Sequence, residues 1–195
     1  DPSRSLVIPR LPDDAMILLP IRNMVLFPNM LVPVGIGRAR SILAARQAAQ
    51  NEQPMGVVMQ RDASVEEPGP DDLHAVGTVA NVMRFVNGNE GHHHLVLQGE
   101  QRFRVIEHLH GYPFPVARIE RIAEEQPVGQ TVDAHMVALR DKALEALELL
   151  PQAPQELAGA LSSIKEPGAL ADTVAGYLDL ESADRQELLE TLDIE

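Results

Sequence analysis

The chain has no cysteine and no tryptophan, and it carries only four phenylalanines and two tyrosines in 195 residues. Without cysteine there is no disulfide, no thiolate nucleophile and no zinc–thiolate centre. With aromatics at 3%, the core must be built from Leu, Val, Ile, Ala and Met. No apolar run approaches the roughly 20 residues needed to span a bilayer as a helix. The opening DPSRSLVIPRLPDD is too broken by prolines and charges to be a secretory signal. These absences lead us to expect a cytoplasmic protein without a membrane anchor. The first residue is Asp rather than Met, which reads as a processed or cut chain. There is also no G-x-x-x-x-G-K-[ST] loop to cradle nucleotide phosphates.

Basic residues are scarce in the second half. Asp1 to Ile119 holds 11 basic and 12 acidic residues, a net of −1, whereas Glu120 to Glu195 holds 5 and 17, a net of −12. The shift marks a domain boundary near residue 120. It argues against nucleic acid as a partner, because phosphate binding needs clustered Lys and Arg. We read the acidic half as a solvated helical surface. A hydrophobic share of 45% excludes global disorder.

The rest of the chain is organised around LLPIRNMVLFPNMLVPVGIGRARSI, residues 18–42. Two short apolar runs flank a proline corner at Phe27-Pro28-Asn29. Pro33 inside the second run marks an edge strand, a bulge or the start of a strand. Gly35 and Gly37 then let the chain turn into a helix over Arg38 to Asn51. Further strands are expected at Met55–Gln60, Val76–Val86 (with a bulge near Asn81), His94–Gln98, Arg102–Leu109 and Tyr112–Ile122. Asn87-Gly88 signals a hairpin that can be longer than two residues, and Gly99 allows a bend. Arg61 to Asp72 reads as an exposed, mobile loop.

From Thr131 the apolar period lengthens to that of a helix, through Val132, Met136, Leu139, Ala143, Leu147 and Leu150. Pro151 ends this helix, Pro154 and Pro167 open two more, and Ser182 is suited to N-cap a fourth. The expected organisation is a flexible leader over 1–14, a β-rich part over 15–122, a linker over 123–130 and a helical bundle over 131–195. The fold class is α+β, with one helix packed on a small closed or half-closed sheet.

The chemical motifs are weak. Gly35-Ile36-Gly37 starts a dinucleotide fingerprint, but Arg40 stands where the third glycine belongs. Ser162-Ser163-Ile164-Lys165 spells S-x-x-K without its S-D-N and K-T-G companions. His92-His93-His94 lacks an identifiable further metal ligand. No catalytic, cofactor or metal residue is therefore assigned. What remains is binding surface. Met24, Phe27, Met30 and Leu31 lie at or beside the proline corner, with Arg38 and Arg40 next to them. Met is flexible and suits promiscuous apolar contacts, although most methionines here read as core filler.

Leu19-Pro20-Ile21-Arg22-Asn23, Phe27-Pro28, Pro33, Gly37-Arg38 and Ser41 resemble the opening of the amino-terminal domain of the Lon ATP-dependent serine proteases. EEPGPDDLHAVGTVANV at 66–82, LVLQGEQRFRV at 95–105, SSIKEPGALADTVAGYL at 162–178 and RQELLETLDIE at 185–195 continue the resemblance. It implies a PUA-like pseudo-barrel followed by a helical bundle that runs on into a long helix. It implies a non-catalytic module that recognises exposed apolar segments of misfolded or regulatory proteins, with the six residues just named as substrate-binding candidates. ATP, Mg and a Ser-Lys dyad would belong to the rest of the parent protein, a homohexamer, while the isolated piece would be a monomer or weak dimer. Two other classes remain open at this stage: a stand-alone Lon-domain adaptor, and a small hydrolase using Ser162 and Lys165.

Overall fold

The computed structural model describes residues 8–88, 91–150 and 155–193. Six strands form one mixed sheet: β1 (Ala15–Ile21), β2 (Leu31–Ile36), β3 (Met55–Met59), β4 (Val76–Val86), β5 (His93–Leu109) and β6 (Val116–Arg121). Five α-helices accompany them: α1 (Ala39–Gln50), α2 (Gln130–Glu148), α3 (Gln155–Ser163), α4 (Pro167–Tyr177) and α5 (Ser182–Glu190). The strand order is β2-β5-β4-β3-β1-β6, and a further β5–β6 pairing closes five of the strands into a pseudo-barrel. β2 is left outside the closure as an edge. This is the expected α+β architecture, a PUA-like barrel followed by helices.

Closure explains the continuous apolar runs in β1 and β3. Both strands are buried on both faces, so neither alternates. Ile17, Leu19 and Ile21 face one core with Ala44, Ala45 and Ala48 of α1. Met16 and Leu18 face a second with Val79 and Phe103. β1 and β3 are parallel, which requires a crossover. α1 lies in that crossover, and its alanine face lets it sit close to the sheet.

Strand β5 runs for 17 residues as one strand where two were expected, with a bulge beside Gly99: Glu100 is the extra residue between Gly99, opposite Ala80, and Gln101, opposite Val79. Gly99 also serves close approach: a Cβ there would collide with the Phe27 carbonyl. The irregularity expected near Asn81 occurs at Met83, the extra β4 residue of the Val82/Arg84 shift. The β4–β5 connection is longer than a two-residue turn. Asn87 and Gly88 do not have positive φ, although Gly91 does; residues 89–90 lie outside the described residues.

Three other expectations are corrected. The leader is seated from Ile8 onward, since Ile8 and Leu11 pack on the barrel core. Loop 61–72 is tied down: Gln60 and Arg22 both donate to the Val65 carbonyl, and Arg38 donates to that of Glu66. Ser182 is the first residue of α5 rather than its N-cap, which is Glu181. α5 ends at Glu190, and Thr191 leaves helical backbone. Pro167 opens α4 as expected; Pro151 and Pro154 fall outside the described residues.

The helical part has its own small core of Leu157, Leu161 and Leu170. Arg140 of α2 donates to the Leu161 and Ile164 carbonyls at 3.0 and 2.6 Å. A cation at those free carbonyls suits the negative end of α3.

Candidate functional site

The proline corner is core rather than surface. Phe27 is fully buried with Val25, Met59 and Val76 of the barrel and Ala175 and Leu189 of the helices. The exposure expected there fails for Phe27 because the corner is where the two parts of the molecule meet. Met30 is partly buried between the same cluster and the barrel core. Its thioether fills the space that a Cβ on Gly176 would need. Met24 is partly buried and Arg40 is exposed. Arg38 is held by Gln60 Oε1 at 2.6 Å and the Pro20 carbonyl at 2.8 Å. Burial, with Arg22 nearby, pulls its guanidinium below the usual arginine pKa, against the opposing pull of Glu67. Leu31, in contrast, is 60% exposed.

Leu31 opens an apolar face. In the β2–β5–β4 register, Leu31 stands opposite Gln98 and Asn81, Pro33 opposite Val96 and Arg84, and Gly35 opposite His94 and Val86. All these positions share the outer side of the sheet. Pro33 is exposed and Val96 partly so; Val86 is 38% exposed. Met83, the extra residue at the Val82/Arg84 shift, is 58% exposed. Leu31, Pro33, Val96, Met83 and Val86 thus lie across three strands, rimmed by Arg84, His94, Gln98 and Asn81. The even-numbered β2 residues and their partners point the other way, into the core. Sequence reasoning found Leu31 and missed Met83. The bulge turns Met83 outward, whereas most methionines of the barrel are expected to fill the core.

A groove of roughly 760 Å³ lies between the C-terminal half of β2, the end of β1 and the start of β5, within the size range of ligand pockets. Its walls include Met24, Val34 and Ile36, and one end carries Arg22, Arg38 and His92. His93, only 8% exposed, also lines it, and its Nδ1 has no hydrogen-bond partner. Among the described residues no acidic side chain lines this groove.

A third feature joins the two parts. Arg102 of β5 grips Asp172 of α4 through two hydrogen bonds of 2.7 and 2.6 Å. Its Nε donates to the Leu189 carbonyl at 2.8 Å, and Glu124 adds a contact at 3.2 Å. A cleft of roughly 220 Å³ between Phe27, Ile122, Ala171 and Leu192 opens beside this pair. The geometry is that of a structural clamp, because the guanidinium is enclosed and bonded to protein on several sides.

The Ser162 hydroxyl donates to the Ala158 carbonyl one helical turn back, at 2.9 Å. No cluster of three potential metal ligands occurs among the described residues. None of the described helices is long and apolar enough to cross a membrane.

Comparison with known proteins agrees with this architecture. Residues 15–195 match the family model of the ATP-dependent protease La (LON) substrate-binding domain. The chain is 45% identical over 186 residues to Lon protease of Phenylobacterium zucineum and 48% identical over 185 to that of Paraburkholderia phytofirmans. These alignments cover 95% and 94% of the chain but only 23% of each relative. The N-terminal domain of Mycobacterium avium complex Lon protease shares the fold, with a TM-score of 0.74 at 21% identity, over 92% of this chain and 91% of that one. The Lon N-terminal domain protein of Xanthomonas campestris gives 0.64 at 18%, over 93% and 92%. The chain therefore belongs to the Lon protease substrate-binding domain family.

Proposed function

We propose that this chain captures exposed apolar segments of unfolded or degron-bearing proteins for a Lon-type ATP-dependent protease, and itself performs no hydrolysis. The observation that carries this reading is the outer face of Leu31, Pro33, Val96, Met83 and Val86. It is an apolar patch on rigid strands, rimmed by polar groups, of the kind that marks interaction sites. Met83, on its β4 side, is adaptable enough to meet many sequences. One such patch binds weakly. Several on a homohexameric ring raise the effective concentration of an unfolded chain. ATP, Mg and the Ser-Lys chemistry are assigned in this reading to other parts of the parent protein, the sequence having no G-x-x-x-x-G-K-[ST] loop. The isolated piece would then be a monomer or weak dimer, working in the cytoplasm.

The test is fluorescence anisotropy of labelled casein, an unfolded protein, titrated with the chain, with a folded protein as control. Weak binding to casein alone, abolished by Met83→Asp together with Leu31→Asp, is the expected result. Binding that survives the double substitution would place capture elsewhere. No binding at any attainable concentration would overturn capture by the single chain.

A further inference from the structure

The free edge of β2 is more specific than a patch. The Gly99 N–H donates to the Met30 carbonyl at 2.8 Å, so Met30 and Gly99 form a hydrogen-bonded pair in the β2–β5 register. Alternation then makes Val32, Val34 and Ile36 the residues bonded to β5. The backbone groups of Leu31, Pro33 and Gly35 point the other way, to the unpaired edge, where Pro33 and Gly35 line the groove. Pro33 has no N–H to offer, and proline at such a position blunts an edge against indiscriminate pairing. Leu31 and Gly35 keep both donor and acceptor.

The groove also has polarity. At the C-terminal end of β2 stand Arg22, Arg38 and His92, the last facing Gly37. α1 begins there too, with no side-chain cap and no acidic residue in its first turn. Its first N–H groups and the positive end of its dipole suit an anion. Glu67, the acidic neighbour of Arg38, lines a small adjoining cleft with Arg38, Arg40 and Pro115 rather than the groove itself. The groove wall further contains the unpartnered, nine-tenths buried His93. Arg22 and Arg38, which also donate to the Val65 and Pro20 carbonyls, bring two positive charges to this end, in a chain of net charge −13.

We propose that this groove takes the carboxyl-terminal segment of an extended polypeptide, added as a strand parallel to β2 with its α-carboxylate at Arg22, Arg38 and the start of α1. The inference rests on the substrate-binding reading and deepens it. The apolar face would supply sequence-tolerant contact, and the edge would select for an unfolded chain end. Main-chain pairing gives affinity in such strand addition, and the carboxylate sets the register.

The experiment uses an eight-residue peptide alternating Val and Thr, fluorescein-labelled at its N-terminus, with either a free carboxylate or an amide at the C-terminus. Anisotropy is read with the 195-residue chain. The free acid should bind about fivefold tighter than the amide, the scale of a partly exposed ion pair. Arg22→Ala should erase that difference. Pro33→Ala restores an outward N–H and should tighten binding about threefold. Gly35→Pro removes one and should weaken it, while Gly35→Ala should not. Should Gly35→Pro fail to fold, Pro33→Ala and Arg22→Ala still decide. Acid and amide binding equally, with no response to Pro33→Ala, overturns the edge site; loss of casein binding in Met83→Asp would then leave the apolar-face reading standing. A chain that binds the peptide as expected but not casein keeps the edge site and removes the apolar face.

Discussion

The barrel and the helical part are held together by different physics. The barrel has a near-neutral sequence, a closed sheet and residues such as Leu18, Leu19, Met55 and Phe103 with no exposure. The helical part is strongly acidic and thin. α2 is 19 residues long yet has Val132 as its buried residue. Burial of apolar area stabilises the first. The second leans on the first, through Phe27 and Met30 and through the Arg102–Asp172 clamp. A helix bundle this small has too little core of its own, so its position depends on a junction of few residues. The junction, not the binding face, is therefore where single substitutions should do most damage.

The largest expected effects test that dependence. Phe27→Ala removes a ring shared by barrel and helices and should cost about 3–5 kcal/mol, seen as a lower urea midpoint. Asp172→Ala leaves the enclosed Arg102 with Glu124 alone as an acidic partner and should cost about 3 kcal/mol. Hydrogen exchange should then rise in α4 and α5 before it rises in β1 and β3. The pair Arg102→Met with Asp172→Leu should cost less than Asp172→Ala alone, because no buried charge is stranded. If both substitutions loosen barrel and helices equally, the two parts are one cooperative unit and the contrast is broken.

Smaller effects sharpen the contrast from inside the barrel. The Thr78 hydroxyl donates to the Leu26 carbonyl at 2.5 Å in a buried position. Thr78→Val should cost about 1–2 kcal/mol, the penalty of an unsatisfied buried carbonyl, without loosening the helices. Met83→Asp should change stability by less than about 0.5 kcal/mol while it weakens casein capture.

The smallest effect is on pH dependence. Burial, with Arg61, pulls His74 below the usual imidazole pKa against the pull of Glu190. Burial, with His110, does the same to His108 against Asp71. For a lowered histidine the unfolded chain takes up the proton first. Stability is full above about pH 6.5 and declines as pH falls through that value towards the folded pKa. His74→Gln and His108→Gln should each flatten this decline in pH-dependent denaturation.

Much of this architecture could be read from residue order. Alternation and turn signals located the strands, Pro167 located the start of α4, and the change of period near Thr131 separated sheet from helices. The candidate site was read less well. Phe27, Met30 and Arg38 were expected at a surface because prolines and glycines surround them. A corner, however, can be a turn in solvent or a turn against another part of the chain, and local sequence does not distinguish these. Met83 was hidden for a related reason. Which side a strand residue faces depends on the position of a bulge, and one residue of register reverses it.

The sequence by itself determined the types and order of most elements, though not the continuity of β5, because hydrophobic period and backbone chemistry act over a few residues. Tertiary structure decided which apolar residues stayed outside, which edge stayed open and which charges met. Arg102 and Asp172 are 70 residues apart in sequence, and Leu31 and Met83 reach one face only through β5. Such meetings are set by sheet closure and by the packing of α4 and α5 on the barrel, long-range events that no local pattern encodes.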